Sequence, residues 1–569
     1  NTGTITGSGN NLTLTGSGNG TLASIIGTGA AAVTKSGSGT WTLTGANSYT
    51  GVTNVNAGAL NIQNGGALAD SSSVTVASGA ALQLQGGIST TTAVGLTLNG
   101  TGTAANGALE NVSGSNTYSG LITLGSNSTI GSDAGTLTLS NTGTITGSGD
   151  NLTLTGSGNG TLASFIGTNT GTLTKSGSGT WTLTGANTYT GVTNVNAGAL
   201  NIHNGSALAD TASVTVASGA ALQLQGGIST TAAVGLTLNG TGTATNGALE
   251  NVAGSNTYSG LIALGSNSTI GSDAGTLTLS NTGTIIGSGN NLTLTGSGNG
   301  NLASIIGTGA GTLAKSGSGT WTLNGANTYT GETVVNAGTL VVGVNGALPD
   351  AGVSVTGGTL QLGAGTGQAQ MTSLSITGNG VLDVDNNHFI LAYGASDPIT
   401  TIAGYIKSGY DGGGWDGIGI NSSAAIWWTD DLRYGVGYAD GKDGVVSGLT
   451  SGQIEVAYTL LGDANLDGLV NGSDFNILAA NFNQSITGWD QGDFNYDGLV
   501  NAADFNELAA NFNQGVSGAD VSAGDVAALD AFAVANGLSV PTSSVPEPAS
   551  AVMMVMAGLG ILSRRRRWS

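Results

Sequence analysis

Two short stretches late in the chain carry the clearest chemistry. Asp463-Ala-Asn465-Leu-Asp467-Gly468-Leu469-Val470-Asn471-Gly-Ser-Asp474 is matched 30 residues on by Asp493-Phe-Asn495-Tyr-Asp497-Gly498-Leu499-Val500-Asn501-Ala-Ala-Asp504. Side-chain oxygens stand at loop positions 1, 3, 5, 9 and 12, and position 7 (Leu469, Leu499) offers a backbone carbonyl. Calcium is a hard cation that takes six to eight oxygens, and a glycine at position 6 permits the bend that wraps them round it. Each loop carries three Asp, enough negative charge to favour the ion and to repel itself without it. The spacing predicts two calcium ions.

Composition closes most other routes. The 569 residues contain no cysteine and two histidines, His203 and His388. Disulfide frameworks, zinc ribbons and thiol nucleophiles are excluded, and His-based triads nearly so. Acidic residues number 31 against 10 basic, a net charge of −21, which repels nucleic acid and anionic lipid. Asp70, Asp210 and Asp350 recur singly, as do Glu110 and Glu250, and read as turn or surface acids. No catalytic residue is expected. Tyr405, Tyr410, Trp415, Trp427, Trp428, Tyr434 and Tyr438 gather between the repeats and the acidic loops. They read either as the core of a cap or as exposed rings that stack on a glycan.

The elements that must position the loops follow from periodicity. After each loop the apolar residues fall at i, i+3, i+4 and i+7: Phe475, Leu478, Ala479 and Phe482, then Phe505, Leu508, Ala509 and Phe512. Ile454-Glu-Val-Ala-Tyr-Thr-Leu before the first loop alternates as a strand, so no helix enters that loop. Upstream, no stretch before residue 470 sustains helical periodicity over three turns. A 140-residue period brings Trp41, Trp181 and Trp321 into the same surroundings. Asn1, Asn141 and Asn281 open equivalent units, as expected of an array continuing upstream. Thr40-Trp41-Thr42-Leu43-Thr44 and Val74-Thr75-Val76 alternate as short strands between Gly-Ser-Gly, Ala-Asn and Asn-Ala-Gly turns. Glycine, 103 residues in all, is about 18% against a background of about 7%. Short strands with near-identical turns predict a solenoid whose coils bury their faces on one another. A string of β-sandwiches is the competing layout, with longer strands and more aromatic cores.

Three resemblances add to this reading. Lys35-Ser-Gly-Ser-Gly-Thr-Trp41-Thr-Leu and the Ala-Asn-Ser-Tyr-Thr-Gly and Asn-Ala-Gly-Ala-Leu that follow resemble the autotransporter-associated β-strand repeat of bacterial surface proteins, over residues 33–62, 173–202 and 313–342. The resemblance implies a right-handed parallel β-helix outside the cell. The duplicated loop with its exiting helix resembles a type I dockerin over residues 459–515. That family implies docking onto a cohesin-like module and an association with glycoside hydrolases and polysaccharide breakdown. Loop positions 10 and 11 differ from the hydroxyl pair common in cellulosomal members, being Gly472-Ser473 and Ala502-Ala503. Pro546-Glu547-Pro548, an apolar run from Ala549 to Leu562, and Arg564, Arg565, Arg566 and Arg567 resemble the PEP-CTERM sorting signal. It implies export, recognition by an exosortase and removal of the tail. The 14-residue run reaches roughly 21 Å as a helix, short of the roughly 30 Å hydrocarbon core, so membrane insertion is expected to be transient.

The expected fold is mainly β: a right-handed parallel β-helix (1–345), an aromatic-rich β capping region (346–458), and a small α-helical dockerin-like module of paired calcium loops (459–515). A linker with a short helix (516–544) and the sorting signal with its hydrophobic helix (545–569) follow. The expected function is that of an exported surface or extracellular-matrix protein, structural or adhesive, with a calcium-binding docking module. The alternatives are the non-catalytic part of a secreted polysaccharide-degrading protein, and a glycan-binding protein.

Overall fold

A computed structural model of the chain describes residues 3–68, 70–425, 433–515 and 521–540. It divides into two compact units, Asn1–Pro349 and Asp350–Ser569.

The first unit is a β-solenoid of short parallel strands. Leu12–Leu14, Val33–Lys35, Thr53–Val55, Val74–Val76 and Leu96–Gly100 stack in register along one face. Gly20–Leu22, Thr40–Leu43, Gly58–Ile62, Ala80–Gln85 and Leu109–Ser113 stack along a second. Among the described residues of this unit, the only helical segments are the three-residue turns Thr103–Ala105 and Thr243–Thr245. Alternation puts Leu14, Val33, Leu60, Leu82 and Leu109 inside, each at most 4% exposed. Trp181 and Trp321 are fully buried. Each ring lies over a glycine of the preceding coil, where a Cβ on Gly160 would stand 2.3 Å from the Trp181 ring. A large residue on one coil is thus matched by none on the coil beneath it.

The 140-residue period is not a whole number of coils. The 11-residue strand Ile122–Ser132 spans two faces, its first part on Leu96–Gly100 and its second on Leu109–Ser113. Leu152–Thr155, the copy of Leu12–Leu14, stacks on the second part. It therefore continues the ladder of Trp41 and not that of Leu12. Each block is offset from the last by one face of the coil.

Two buried polar motifs recur in all three blocks, and a third recurs in the first two. Lys35, Lys175 and Lys315 are 0% exposed. Each Nζ donates to three carbonyls at a coil corner, for Lys175 those of Ser176, Gly177 and Ala197. Asn187 Oδ1 accepts from Ile166 N–H and its Nδ2 donates to Ala207 O, so one side chain ties three coils. Tyr189, Thr193 and Thr211 form a buried hydroxyl chain with spacings of 2.6 and 3.0 Å.

In the second unit parallel coils give way to an antiparallel closure. Ala351–Val355, Gln368–Ile376 and His388–Ala392 stack in parallel, as do Thr359–Leu362, Val381–Asp383 and Gly419–Asn421. Gln453–Leu460 then pairs antiparallel with both His388–Ala392 and Tyr434–Asp440. The helix α1 (Ile399–Tyr410) corrects the expectation of no three-turn helix before residue 470. Its two internal glycines and three threonine or serine residues hide the pattern, but Ile402 and Ile406 are fully buried. At Gly409 a Cβ would stand 1.8 Å from Ile420 O, so the glycine lets helix and strand touch. Among the described residues three helices follow: α2 (Gly472–Asn481), α3 (Ala502–Asn511) and α4 (Ala523–Asn536). No helix among the described residues is long and apolar enough to cross a membrane. The C-terminal apolar run lies outside the described residues.

Candidate functional site

The two acidic loops share one set of backbone-to-side-chain bonds. In the first, Asp463 accepts from Asp467 N–H (3.2 Å) and Gly468 N–H (2.9 Å), and in the second Asp493 accepts from Asp497 N–H (3.1 Å) and Gly498 N–H (3.0 Å). Asp474 Oδ1 accepts from Ala464 N–H at 2.9 Å, and Asp504 Oδ1 from Phe494 N–H at 2.8 Å. The other oxygen of each closes a capping box with Asn471 or Asn501 at the start of α2 or α3. Asn465 and Asn495 accept from the N–H at position 5, and Asp467 and Asp497 from that at position 7. Gly468 and Gly498 sit at φ +81° and +90°, where a side chain is strained.

Burial makes the acids costly. Asp463, Asp474 and Asp504 are 0% exposed and Asp493 2%. Desolvation pushes Asp463 and Asp504 up to about 6 and Asp474 and Asp493 up to about 7, against the loop amides that favour the charged form. Among the described residues no three His, Cys, Asp or Glu side chains converge on one point. The acids of each loop are held apart by loop amides, so amide and carbonyl oxygens must share any donor set with them.

The loops are braced as a pair. Val470 pairs with Gln514 beyond α3, and Val500 bridges to Gln484 beyond α2, so each loop is tied to the segment leaving the other helix. Phe475, Leu478, Phe505, Leu508, Ala509 and Phe512 are buried between the helices, at most 5% exposed. α4 closes this core. Phe532 lies 5.4, 5.0 and 5.8 Å from Phe475, Phe482 and Phe505, so the segment expected as a linker carries part of the packing.

The strand Gln453–Leu460 leads directly into the first loop, in place of an entering helix. Thr459 donates its hydroxyl to Asp463, and Trp489 Nε1 donates to Asp463 O at 2.7 Å. Neither Thr459 nor Trp489 is marked by loop spacing. The antiparallel pair is bolted on by Tyr496 OH to Val436 O (2.8 Å), Asn511 to Leu461 O (2.8 Å) and the Arg433–Glu507 ion pair (2.8 Å). Tyr410, Trp415 and Tyr496 pack at 5.0–5.9 Å. Trp415 and Tyr438 are 2% and 3% exposed, so these two rings serve the core and offer no stacking platform. Trp427 and Trp428 lie outside the described residues.

Comparison with known proteins bears on both ends of the chain. Residues 33–62, 173–202 and 313–342 match the passenger-associated-transport-repeat, at the stretches expected from sequence. Residues 544–567 match the PEP-CTERM protein-sorting motif. A 76-residue stretch, 13% of the chain, is 49% identical to the adhesin BmaC autotransporter of Brucella suis biovar 1 (strain 1330). It covers 2% of that protein's length. No solved structure matches significantly. The chain is that of an exported, cell-surface protein. The motif implies exosortase processing during export. Pro546, Glu547, Pro548 and Arg564–Arg567, the residues assigned to it, lie outside the described residues.

Proposed function

We propose that this protein is a structural or adhesive surface component whose C-terminal unit is organised by two calcium ions and serves as a docking module. The passenger repeats, the likeness to an adhesin and the solenoid support the surface role. One observation carries the calcium reading: both loops bury two carboxyls with their oxygens fixed by loop amides, in the same bonds at the same positions. A divalent cation offsets the desolvation that raises these groups. Asp463, Asn465, Asp467, Leu469, Asn471 and Asp474 are the first donor set, and Asp493, Asn495, Asp497, Leu499, Asn501 and Asp504 the second. The docking role rests on the dockerin-like duplication, and a cohesin-like module is the partner it favours. Association with a polysaccharide-degrading assembly is the second reading, resting on the same resemblance. Calorimetric titration of the intact chain tests the calcium reading. Two sites are expected, with Asp463→Ala and Asp493→Ala each removing one and magnesium substituting poorly. Fewer than two sites, or a melting temperature indifferent to chelator, sinks it.

A further inference from the structure

We propose that a cavity in the second unit binds a small hydroxylated primary amine, in its simplest form an amino sugar, with Asp490 receiving the ammonium group. The cavity is a half-open cleft of about 380 Å³, within the range of small-molecule sites. It is walled by α1, by the end of Tyr434–Asp440 and the turn after it, by the short turn Trp489–Gln491, and by the second acidic loop.

Asp490 sets the chemistry. It is 4% exposed, it lines the cavity, and its Oδ2 has no hydrogen-bond partner. The other buried acids of the two loops differ, since Asp463, Asp474, Asp493 and Asp504 each have both oxygens engaged. Burial and the neighbouring Asp443 push Asp490 up to about 7, against the backbone amides of Asp440 and Asp490. A buried carboxylate oxygen requires a cation or a strong donor.

The surroundings select which. Asp440, Asp443, Asp490, Asp493 and Asp497 face the cavity against one cation, Lys407. The nearby Lys442 is turned to Asp397 at 3.8 Å, and Asp440 Oδ1 already accepts from Tyr393 OH and Lys442 N–H. Phosphates and acidic sugars are repelled. A bare divalent ion fits poorly, because the space far exceeds one ion. An ammonium on a small ring fits both features. Its three donors reach Asp490 and the adjoining acids, while its carbons face Ile399 and Ala403. The tyrosine hydroxyls are already spent, Tyr438 on Thr487 O and Tyr496 on Val436 O. The inference rests on the calcium reading only for the second-loop wall, where a bound ion neutralises Asp493 and Asp497 and leaves selection to Asp440, Asp443 and Asp490.

The test is ligand titration of the intact, calcium-saturated chain, followed by calorimetry and ligand-observed NMR. The probes are glucosamine, N-acetylglucosamine, glucose, glucuronic acid and Nα-acetyl-lysine methylamide. Glucosamine is expected to bind at least about tenfold more tightly than its acetylated and neutral analogues, and glucuronic acid not at all. Asp490→Asn is expected to cost glucosamine about tenfold or more while calcium stoichiometry stays unchanged and the melting temperature does not fall. Equal affinity for glucose, indifference to Asp490→Asn, or no amine binding overturns the proposal. Lysine amide binding as tightly as glucosamine overturns the sugar assignment. A third calcium lost in Asp490→Asn makes the cavity a metal site instead. Calcium stoichiometry read on the same samples separates the two ideas. Two calcium ions without amine binding refutes the cavity alone, and Asp490-dependent amine binding without calcium refutes the loops alone.

Discussion

A carboxyl group buried in the wall of a solenoid makes folding depend on pH. Glu110 and Glu250 are each 3% exposed. Glu110 accepts from Gln83 Nε2 at 2.8 Å and from Asn106 Nδ2 at 3.2 Å, and Asn106 also donates to Asp133 of the next coil at 3.4 Å. Desolvation, reinforced by Asp133 and opposed by the Gln83 bond, pushes Glu110 up to about 7, and Glu250 is raised likewise by burial and Asp273. The folded state therefore holds a proton that the unfolded chain has released. This stabilisation is complete below the ordinary glutamate range and is lost as pH rises through about 7. The first unit should melt at a higher temperature at pH 5 than at pH 8, by order of 1 kcal/mol per site. Glu110→Gln with Glu250→Gln should flatten that difference, and an unchanged slope in thermal melts counts against the assignment. These glutamates read from sequence as lone turn or surface acids, because each recurs singly from block to block. The turns Thr103–Ala105 and Thr243–Thr245 set Asn106 and Asn246 over them, and no local pattern announces that cover. The buried lysines were hidden in the same way, since Lys-Ser-Gly-Ser-Gly reads as an exposed turn until the corner carbonyls that hold Nζ are placed.

At the scale of elements, stability comes from matching one coil to the next. Gly160 and Trp181 are 21 residues apart and in register, and a Cβ at Gly160 would sit within 2.3 Å of the indole. Gly160→Ala should cost about 1–3 kcal/mol by overpacking, and Trp181→Ala about 3–5 kcal/mol by leaving a cavity. The double variant should cost less than the sum, because the methyl then enters space the indole has vacated. Additive costs in denaturant melts would contradict this pairing. The second unit offers a parallel case. Phe532 of α4 contacts Phe475 and Phe505, which follow the two loops. Phe532 is half-buried, so Phe532→Ala should destabilise the unit by about 1–3 kcal/mol, and an effect below about 0.5 kcal/mol would show that α4 is not part of that core. Short alternating strands and the helices after each loop were legible in sequence because their periods are local. α1 was not, because glycines interrupt it. α4 was expected as a short helix in a linker, but its packing was hidden because its aromatic partners lie 20 to 60 residues earlier.

At the scale of the whole molecule, the offset of one face per block makes a specific prediction about excision. In a stacked array each coil contacts its neighbours, so a seam that restores native neighbours should be tolerated. Removing residues 141–280 joins Ser140 to Asn281. The strand before that seam, Ile122–Ser132, differs from its copy Ile262–Ser272 at one position, Thr123 against Ala263. The third block pairs with Ile262–Ser272 by setting Leu292 opposite Ser268 and Leu294 opposite Ile270, the register in which Leu152 lies opposite Ser128 and Leu154 opposite Ile130. The shortened chain should therefore fold with unchanged β-sheet circular dichroism per residue. Trp321 should come onto the face now occupied by Trp181, as buried as before. A deletion of similar size that leaves the block period, for example residues 141–270, should not fold. It would set alternating strands on coils of the wrong face and expose the leucines that now point inward. Urea melts of both deletions decide the matter. Cooperative unfolding of the first and collapse of the second are expected, and equal stability of the two would mean that the block register does not govern stacking.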